Sequence, residues 1–158
     1  MNITIKDCDL SICNELDKWL ADCNIVNHAM FDQTFTDEYK YYNNDKNKFE
    51  ELIYEKVLYL DNHLIAYVVL MFYEENGLKE VAFNPIVINP NYQNQGYGKK
   101  ITTYIIDNID SIIDGEVNSF AAAVSINNEI SIRLFQSLGF IKTGESKDKT
   151  YVYYRLIK

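Results

Sequence analysis

A glycine-containing loop in the middle of the chain has residue types that suit the binding of an anion. Gln93, Gly96 and Gly98 follow a short apolar run, residues 86–88, and lead into a helical pattern that begins near Tyr97. Glycine lets the backbone turn without a Cβ clash and lets a ligand approach closely. Because the N–H groups at the start of a helix converge on negative charge, the loop is predicted to hold the phosphates of a bound cofactor.

Two common phosphate-binding motifs do not match this loop. A P-loop ends in lysine followed by serine or threonine, whereas Lys99 and Lys100 are followed by Ile101. A dinucleotide-binding fingerprint needs three glycines near the start of a βαβ unit, but this loop has two and lies mid-chain. A tight turn before a helix, without any ligand, is the alternative interpretation.

Length and composition indicate one globular domain that spans residues 1–158. The chain is 47% hydrophobic and 24% charged, which is ordinary for a soluble protein of this size. No apolar run reaches the roughly 18 residues that a membrane-spanning helix needs. The N-terminus lacks the basic region and apolar core of a signal peptide. We therefore expect a cytoplasmic protein that has no membrane partner.

Cysteine, histidine and net charge exclude several classes of function. The three cysteines (Cys8, Cys13 and Cys23) and two histidines (His28 and His63) do not have metal-ligand spacing, so we expect reduced thiols and no metal. A net charge of −8 argues against a nucleic-acid partner, which requires clustered Lys and Arg. The charge is compatible with steering a cationic substrate, although solubility explains it equally well.

Apolar periodicity and turn signals give the element order β-α-α-β-β-β-α-β-α-β-β. The fold class is α/β in an α+β arrangement, with a mixed, mostly antiparallel sheet of about seven strands flanked by four helices. The segment between the first two helices, residues 24–42, is irregular and rich in aromatic and acidic groups. The predicted strands are 2–7, 57–60, 64–73, 79–88, 119–124, 140–143 and 150–157, and the predicted helices are 9–22, 45–56, about 97–112 and about 128–138.

The central loop and a second pattern downstream together resemble the GCN5-related N-acetyltransferase (GNAT) family. The spacing Gln93-x-x-Gly96-x-Gly98 is similar to the acyl-CoA-binding motif of that family. A second signature is similar over Val124-x-x-x-Asn128-x-x-Ser131-x-x-Leu134-Phe135-x-x-x-Gly139-Phe140. The resemblance covers the whole chain in element order and residues 84–140 in motif detail. It implies the acyl-CoA N-acyltransferase fold.

The resemblance implies acetyl-CoA as the acetyl donor, held where two parallel strands, 81–88 and 119–124, splay apart. Main-chain groups of the first strand would pair with the pantetheine amides, and N–H groups of residues 94–99 would hold the pyrophosphate. For Lys99 and Lys100 a solvated helix face is the alternative. The implied cofactor-binding residues are Ile86, Val87, Ile88, Gln93, Asn94, Gln95, Gly96, Tyr97, Gly98, Lys99, Asn128, Ser131 and Phe135.

The positions that often carry acid and base in the resembling family hold residues that cannot transfer protons. The acid position is Phe135, and the two base positions are Ala82 and Ala123. Glu80 shares a strand face with Ala82 and is a candidate base acting through water, with an exposed carboxylate at a strand start as the alternative. Asn84 lies on the same face and is a candidate for orienting a water or the amine. Further candidates for the acid are Tyr92, Tyr97, Tyr151 and Tyr153.

These features predict an N-acetyltransferase that moves an acetyl group from acetyl-CoA to a primary amine of a small molecule or peptide. The amine would attack directly in a ternary complex, in a monomer or homodimer, and the acceptor would lie along residues 24–42. A narrower alternative is an aminoglycoside-type 6′-N-acetyltransferase, since the segment around Pro85 looks similar and an acidic protein suits a polycation. A non-catalytic acyl-CoA-binding regulatory module and a nucleotide-binding protein are the rival interpretations.

Overall fold

Among the residues that the structure describes, seven strands form a central mixed sheet in the order β1-β2-β3-β4-β5-β7-β6. The computed structural model describes residues 2–22, 33–44 and 52–158. The strands are β1 (Ile3–Asp7), β2 (Leu52–Leu60), β3 (His63–Glu75), β4 (Leu78–Ile88), β5 (Ser119–Ser125), β6 (Ile141–Glu145) and β7 (Tyr151–Ile157). The helices are α1 (Leu10–Asp17), α2 (Phe35–Asn44), α3 (Tyr97–Asp107), α4 (Ile109–Ile112) and α5 (Glu129–Ser137), with 3₁₀ turns at Lys18–Ala21 and Pro90–Tyr92.

The sheet contains one parallel pair, β4 with β5, between two antiparallel blocks. The parallel register begins at Glu80 opposite Ser119 and ends at Phe83 opposite Ala122. Beyond Phe83, β4 continues for five more residues, to Ile88, paired with β3 alone. One edge of this part of β4 is therefore free of a strand partner.

A β-bulge in β4 coincides with the end of the parallel pairing. Val68 of β3 lies opposite Ile86 and Leu70 lies opposite Phe83, so Asn84 and Pro85 share the space opposite a single residue. A bulge bends its strand and increases the local twist, and proline cannot donate to a ladder. The bulge therefore turns the second half of β4 away from β5.

Two hydrophobic clusters cover the two faces of the sheet. On one face, helices α3, α4 and α5 pack against the central strands through residues such as Ile101, Ile105 and Phe135. We call this side the α3 face. On the other, α1 and α2 pack through Leu16 and Phe35 on β2 and β3. We call this side the α1 face.

The structure confirms the predicted fold class and element order, but one predicted helix is wrong. Residues 52–56 of the predicted helix 45–56 belong to β2, and residues 45–51 lie outside the described residues. Ile53 packs into the cluster on the α1 face and Tyr54 into the cluster on the α3 face. Ile53 and Val57 are four residues apart, a spacing that puts two side chains on the same face in a helix and in a strand alike, so it does not distinguish the two.

Smaller differences occur at the ends of elements. The helix α2 lies within and just beyond the segment that the sequence predicts to be irregular. Its first turn is held by Asp17, whose carboxylate accepts hydrogen bonds from the N–H of Phe35 at 2.7 Å and the hydroxyl of Thr36 at 2.6 Å. Asp17 belongs to a different helix, but α2 also has a local cap, since the hydroxyl of Thr34 accepts a hydrogen bond from the N–H of Asp37 at 3.1 Å. This local signal was missed by the sequence analysis.

Candidate functional site

A cavity of about 550 Å³ opens where β4 and β5 separate. Its walls are the second half of β4, the loop after it, the first turn of α3, the end of β5 and one side of α5. Every predicted cofactor-binding residue except Gln95 lines this cavity. Gln95 is exposed and its side-chain amide donates to the carbonyl of Asn91 at 3.2 Å. The structure thus brings the two sequence motifs to one site, while their contact with a cofactor stays a prediction.

The loop at the mouth of the cavity is held by its own side chains. The amide of Gln93 donates to the carbonyl of Ile88 at 3.1 Å, which ties the loop to the end of β4. Asn94 and Gly96 have φ angles of 60° and 81°, in the left-handed region that glycine adopts without strain. The glycine at position 96 of the predicted motif therefore has a conformational reason.

The first turn of α3 directs unused N–H groups out of the helix. The N–H of Lys100 donates to the carbonyl of Gly96 at 3.3 Å and is the first to join the helical ladder. The N–H groups of Tyr97, Gly98 and Lys99 precede it, and such groups have no partner inside an α-helix. All three residues line the cavity. An anion bound there would meet these donors and the positive end of the helix dipole.

Gly98 marks the contact between α3 and α5. A Cβ atom at this position would lie 3.6 Å from Cδ2 of Leu134 and 4.0 Å from Cγ1 of Ile88. These are ordinary van der Waals distances, so an alanine would fit, whereas a bulky side chain would extend into the cavity. The glycine therefore keeps the cavity mouth open between the two helices.

The charged residues that line the cavity are all cationic. Among the residues described, they are Lys99 in the first turn of α3 and Arg133 in α5, and no carboxylate lines the cavity. The positive charge of the cavity lining contrasts with the net charge of the chain, which is −8. The cavity is thus electrostatically suited to an anionic ligand. Arg133 is missed by the sequence analysis because a single arginine on an amphipathic helix is ordinarily solvated.

Phenylalanine side chains close the cavity on the α3 face. The ring of Phe83 lies 6.0 Å from that of Phe120 and 6.1 Å from that of Phe135, measured between centroids. Phe135 in turn lies 5.0 Å from Phe140 in an edge-to-face contact. Phe135 is buried and lines the cavity. It therefore supplies an apolar wall at the position where the resembling family often has a proton donor.

Asn128 caps α5 and also lines the cavity. Its Oδ1 accepts a hydrogen bond from the N–H of Ser131 at 3.2 Å. Because the cap uses only the amide oxygen, the amide nitrogen remains to donate to a ligand. The structural role and the predicted binding role of Asn128 therefore use different atoms.

Glu80 lies outside the cavity in a buried cluster of hydrogen bonds. It is 1% exposed, so the alternative of an exposed surface carboxylate is wrong. Oε1 accepts from Oγ of Ser119 at 2.8 Å and from Nε of Arg155 at 2.7 Å. Oε2 accepts from the hydroxyl of Tyr73 and from Nη2 of Arg155 at 3.3 Å.

This cluster makes Glu80 a poor base. Burial alone would raise the pKa of Glu80, but the hydrogen bonds from Arg155, Tyr73 and Ser119 hold it below its usual value. Two donors meet each carboxylate oxygen, so no oxygen is left to accept a proton from water. The structure therefore gives Glu80 a structural role between strands and does not support the candidate catalytic role.

The other candidate catalytic residues differ in their distance from the cavity. Asn84 lies in the bulge, where its amide donates to Sδ of Met71 at 3.6 Å, and it does not line the cavity. Of the tyrosines, Tyr92 and Tyr97 line the cavity with their rings 5.5 Å apart. Tyr151 and Tyr153 belong to β7 instead. Of these four tyrosines, only Tyr92 and Tyr97 therefore lie at the cavity.

Parts of two further predictions lie outside the described residues. Residues 23–32 of the segment expected to meet the acceptor are not described, nor is Cys23. Cys8 and Cys13 are free thiols in the cluster on the α1 face. Across 2–22, 33–44 and 52–158, no group of three or more His, Cys, Asp or Glu could hold a metal ion. No helix in those ranges is long and apolar enough to cross a membrane.

The family to which these features point is established by comparison with known proteins. The model of the acetyltransferase (GNAT) family matches residues 13–140, which is most of the chain. The chain therefore belongs to the GNAT acetyltransferase family, as the two sequence motifs predict.

Similar proteins agree with this assignment. An N-acetyltransferase 9-like protein of Nematostella vectensis is 28% identical over 110 residues, which cover 66% of this chain and 54% of that protein. The chain thus spans about half the length of the curated relative it matches.

Two solved structures share the fold. Spermidine N-acetyltransferase from Vibrio cholerae, in complex with CoA and spermine, superposes with a TM-score of 0.75 at 16% identity over 98% of this chain and 95% of that chain. The aminoglycoside acetyltransferase AAC(6′)-Ib, in complex with coenzyme A and kanamycin, gives 0.77 at 16% identity over 99% and 95%. These structures confirm the acyl-CoA N-acyltransferase fold.

Proposed function

We propose that this protein is an N-acetyltransferase that moves the acetyl group of acetyl-CoA to a primary amine of a small molecule or peptide. The observation that carries the proposal is the cavity at the splay of β4 and β5, with unused N–H groups at its mouth and only cations among its charged described residues. A long, anionic ligand with an extended amide-containing arm fits such a cavity. The solved neighbours that contain CoA support this ligand class.

The free edge of β4 fits the amide-containing arm. Ile86, Val87 and Ile88 line the cavity and lie past the last residue that pairs with β5. Main-chain groups along an unpaired strand edge bind extended ligands by adding them as a further strand. This edge would hold the pantetheine amides, and a main-chain N–H near Val87 or Ile88 would meet the charge that develops on the thioester oxygen.

The first turn of α3 fits the pyrophosphate. N–H groups of Tyr97, Gly98 and Lys99 converge at the mouth of the cavity, and the Lys99 side chain adds a positive charge there. The residues present therefore fit the pantetheine arm and the pyrophosphate of acetyl-CoA, which supplies the activated acetyl group when bound.

The acceptor amine would approach from the α1 face of the sheet. On the α3 face the route is closed by Phe83, Phe120 and Phe135. On the α1 face the strands present Ala82 opposite Ala121, and Ala123 follows on β5 and lines the cavity. Because methyl side chains are small, the alanines at the family's base positions would leave space on this face of the sheet for the acceptor.

Direct attack needs few groups from the protein. The amine nitrogen bonds to the thioester carbon and gives up a proton to solvent, the carbon–sulfur bond breaks, and the thiolate takes a proton. The amine would reach the site already neutral or lose its proton to solvent, since Glu80 is fully engaged. Tyr92 and Tyr97 line the cavity beside the loop assigned to the pyrophosphate, at the opposite end of the pantetheine arm from the thiol, so the thiolate would take its proton from solvent.

A cationic amine is the acceptor class that the chain's acidity favours. The net charge of −8 would attract such a substrate, and the two solved neighbours were crystallised with spermine and kanamycin. An aminoglycoside-type acceptor is the narrower version of this proposal.

The rival proposal is a regulatory module that binds acyl-CoA without reacting it. The observation that favours it is that Phe135, Ala82 and Ala123 occupy the positions where the family often has acid and base. A module of this kind would have the same cavity and bind acyl-CoA in the same way as the enzyme, but it would not transfer the acetyl group.

A panel of amines incubated with acetyl-CoA tests the proposal, with free thiol monitored by a thiol-reactive dye and the product by mass spectrometry. We expect thiol release that matches the amount of acetylated amine. Calorimetry with CoA, acetyl-CoA and ATP accompanies the panel. CoA binding without thiol release for any amine would favour the module, and ATP binding without CoA binding would overturn both.

A further inference from the structure

Two cations flank the contact between α3 and α5. Lys99 directly follows Gly98, and Arg133 directly precedes Leu134, the residue whose Cδ2 lies 3.6 Å from the Cβ position of Gly98. Both cations line the cavity. The mouth of the cavity therefore carries one positive side chain on each of two helices.

The two cations serve different parts of the mouth. Lys99 sits in the first turn of α3 together with the unused N–H groups that suit a pyrophosphate. Arg133 belongs to a row on α5 with Ile130, Leu134 and Ser137, spaced i, i+3, i+4 and i+7, and all four line the cavity. Arg133 therefore lies on a different wall of the mouth from the loop assigned to the pyrophosphate, and a second phosphate group would account for its charge.

Arginine is well matched to a phosphate monoester. Its planar guanidinium presents a fixed fork of N–H donors, which bonds two oxygens of one phosphate at once. A monoester carries a charge of about −1.5 to −2 near neutral pH, more than either phosphorus of a pyrophosphate diester. Coenzyme A carries one such monoester, on the 3′ position of its ribose.

The present partner of Arg133 does not block this role. Nη2 of Arg133 lies 3.7 Å from Oε2 of Glu129, and the two side chains are 80% and 78% exposed. Exposed pairs of this kind contribute little and are easily exchanged. Within the described part of the chain, no other carboxylate is paired with Arg133, and none lines the cavity.

We propose that Arg133 binds the 3′-phosphate of coenzyme A and makes the protein discriminate coenzyme A from 3′-dephospho-coenzyme A. This inference rests on the proposed function and adds a specificity-determining residue to it. The loop after β4 recognises the pyrophosphate, which both ligands share, whereas Arg133 recognises the only group in which they differ.

Calorimetric dissociation constants for coenzyme A and 3′-dephospho-coenzyme A test the assignment in four proteins: the parent chain, Arg133→Ala, Lys99→Ala and Glu129→Gln. We expect the parent to bind coenzyme A about tenfold more tightly than the dephospho form, a typical loss for one charge-assisted contact. Arg133→Ala should lose this preference while its affinity for the dephospho form stays within about twofold.

The two other variants control for general electrostatics. Lys99→Ala should weaken both ligands by a similar factor, because the pyrophosphate is common to them. Glu129 does not line the cavity. Glu129→Gln should keep the preference for coenzyme A over the dephospho form or increase it slightly, since the Arg133 guanidinium loses its carboxylate partner. Equal weakening of both ligands in Arg133→Ala, or a preference lost only in Lys99→Ala, would overturn the assignment. Failure of the parent to bind either ligand would overturn the proposed function itself.

Discussion

Arg155 of β7 and Glu80 of β4 form an ion pair across the intervening strand β5, with Nε 2.7 Å from Oε1. The two strands are not neighbours, so this pair and the hydroxyl of Ser119 on β5 connect three strands at one point. That point is the first residue pair of the parallel β4–β5 ladder. The pair thus holds β4 and β5 together at the end opposite the splay.

Replacing Arg155 by Met should lower the free energy of unfolding by about 2 kcal/mol. Removing one partner of a buried pair leaves the other charge uncompensated and costs about 3–5 kcal/mol. We expect a smaller loss here because the Arg155 side chain is 42% exposed, so solvent screens the pair. Urea denaturation measures the change. Lys142→Met, which breaks the surface pair with Glu145, is the matched control and should cost under about 1 kcal/mol. Equal losses in the two variants would contradict the buried role of Glu80.

The stability contributed by Glu80 should depend on pH in the acid range. Its pKa is lowered in the folded protein from the usual 4.5, so the folded state favours the charged carboxylate. The contribution is therefore complete above about pH 5 and is lost as pH falls through the folded pKa. The gap in unfolding free energy between the parent and Glu80→Gln should narrow from pH 6 to pH 3, as urea denaturation would report. A constant gap would show that the carboxylate charge is not what Glu80 contributes.

Glu80→Gln should keep acetyl transfer within about threefold of the parent at pH 7.5, once the folded fraction is matched. Glu80 lies outside the cavity, and its oxygens already accept from Ser119, Tyr73 and Arg155. Loss of a general base would instead reduce kcat by about a hundredfold or more. Initial rates of thiol release distinguish the outcomes, and a drop of that size with normal coenzyme A affinity would restore Glu80 as the base.

Gly98→Trp should abolish coenzyme A binding, with a loss of at least about a hundredfold, because the indole would fill the cavity mouth between α3 and α5. Gly98→Ala is the matched control, since its methyl would meet Leu134 at an ordinary 3.6 Å. Calorimetry measures binding, and thermal unfolding checks that both variants fold. Binding by the tryptophan variant at parental affinity would show that the ligand does not use this cavity.

Phe135→Tyr should raise the rate of acetyl transfer about tenfold, because a hydroxyl at this cavity-lining position would protonate the departing thiolate. Phe140→Tyr is the control, since that ring contacts Phe135 at 5.0 Å without lining the cavity. Thiol-release kinetics at saturating acetyl-CoA provide the readout. No gain in Phe135→Tyr would indicate that proton delivery to sulfur does not limit the rate.

Local motifs were sufficient to predict the loop and its place in the fold. Gln93, Gly96 and Gly98 act within a few residues of one another, and the left-handed φ at Gly96 is one that glycine adopts without strain. The Glu80 cluster could not be predicted in this way, because Arg155 lies 75 residues further along the chain. The prediction of a helix at the start of β2 was wrong for a related reason. Ile53 and Tyr54 are buried on opposite faces of the sheet, and this burial depends on neighbouring strands that periodicity does not reveal.

The bulge in β4 also determines which face of the sheet each later side chain of the strand occupies. Before it, odd-numbered residues such as Val81 and Phe83 belong to the cluster on the α3 face. After it, the even-numbered Ile86 and Ile88 pack there, while Val87 joins the α1 face. The extra residue thus reverses the parity of the strand halfway along its length. Deletion of one residue at this point would move every later side chain of β4 to the opposite face of the sheet. The wall of the cavity therefore depends on the number of residues in the bulge.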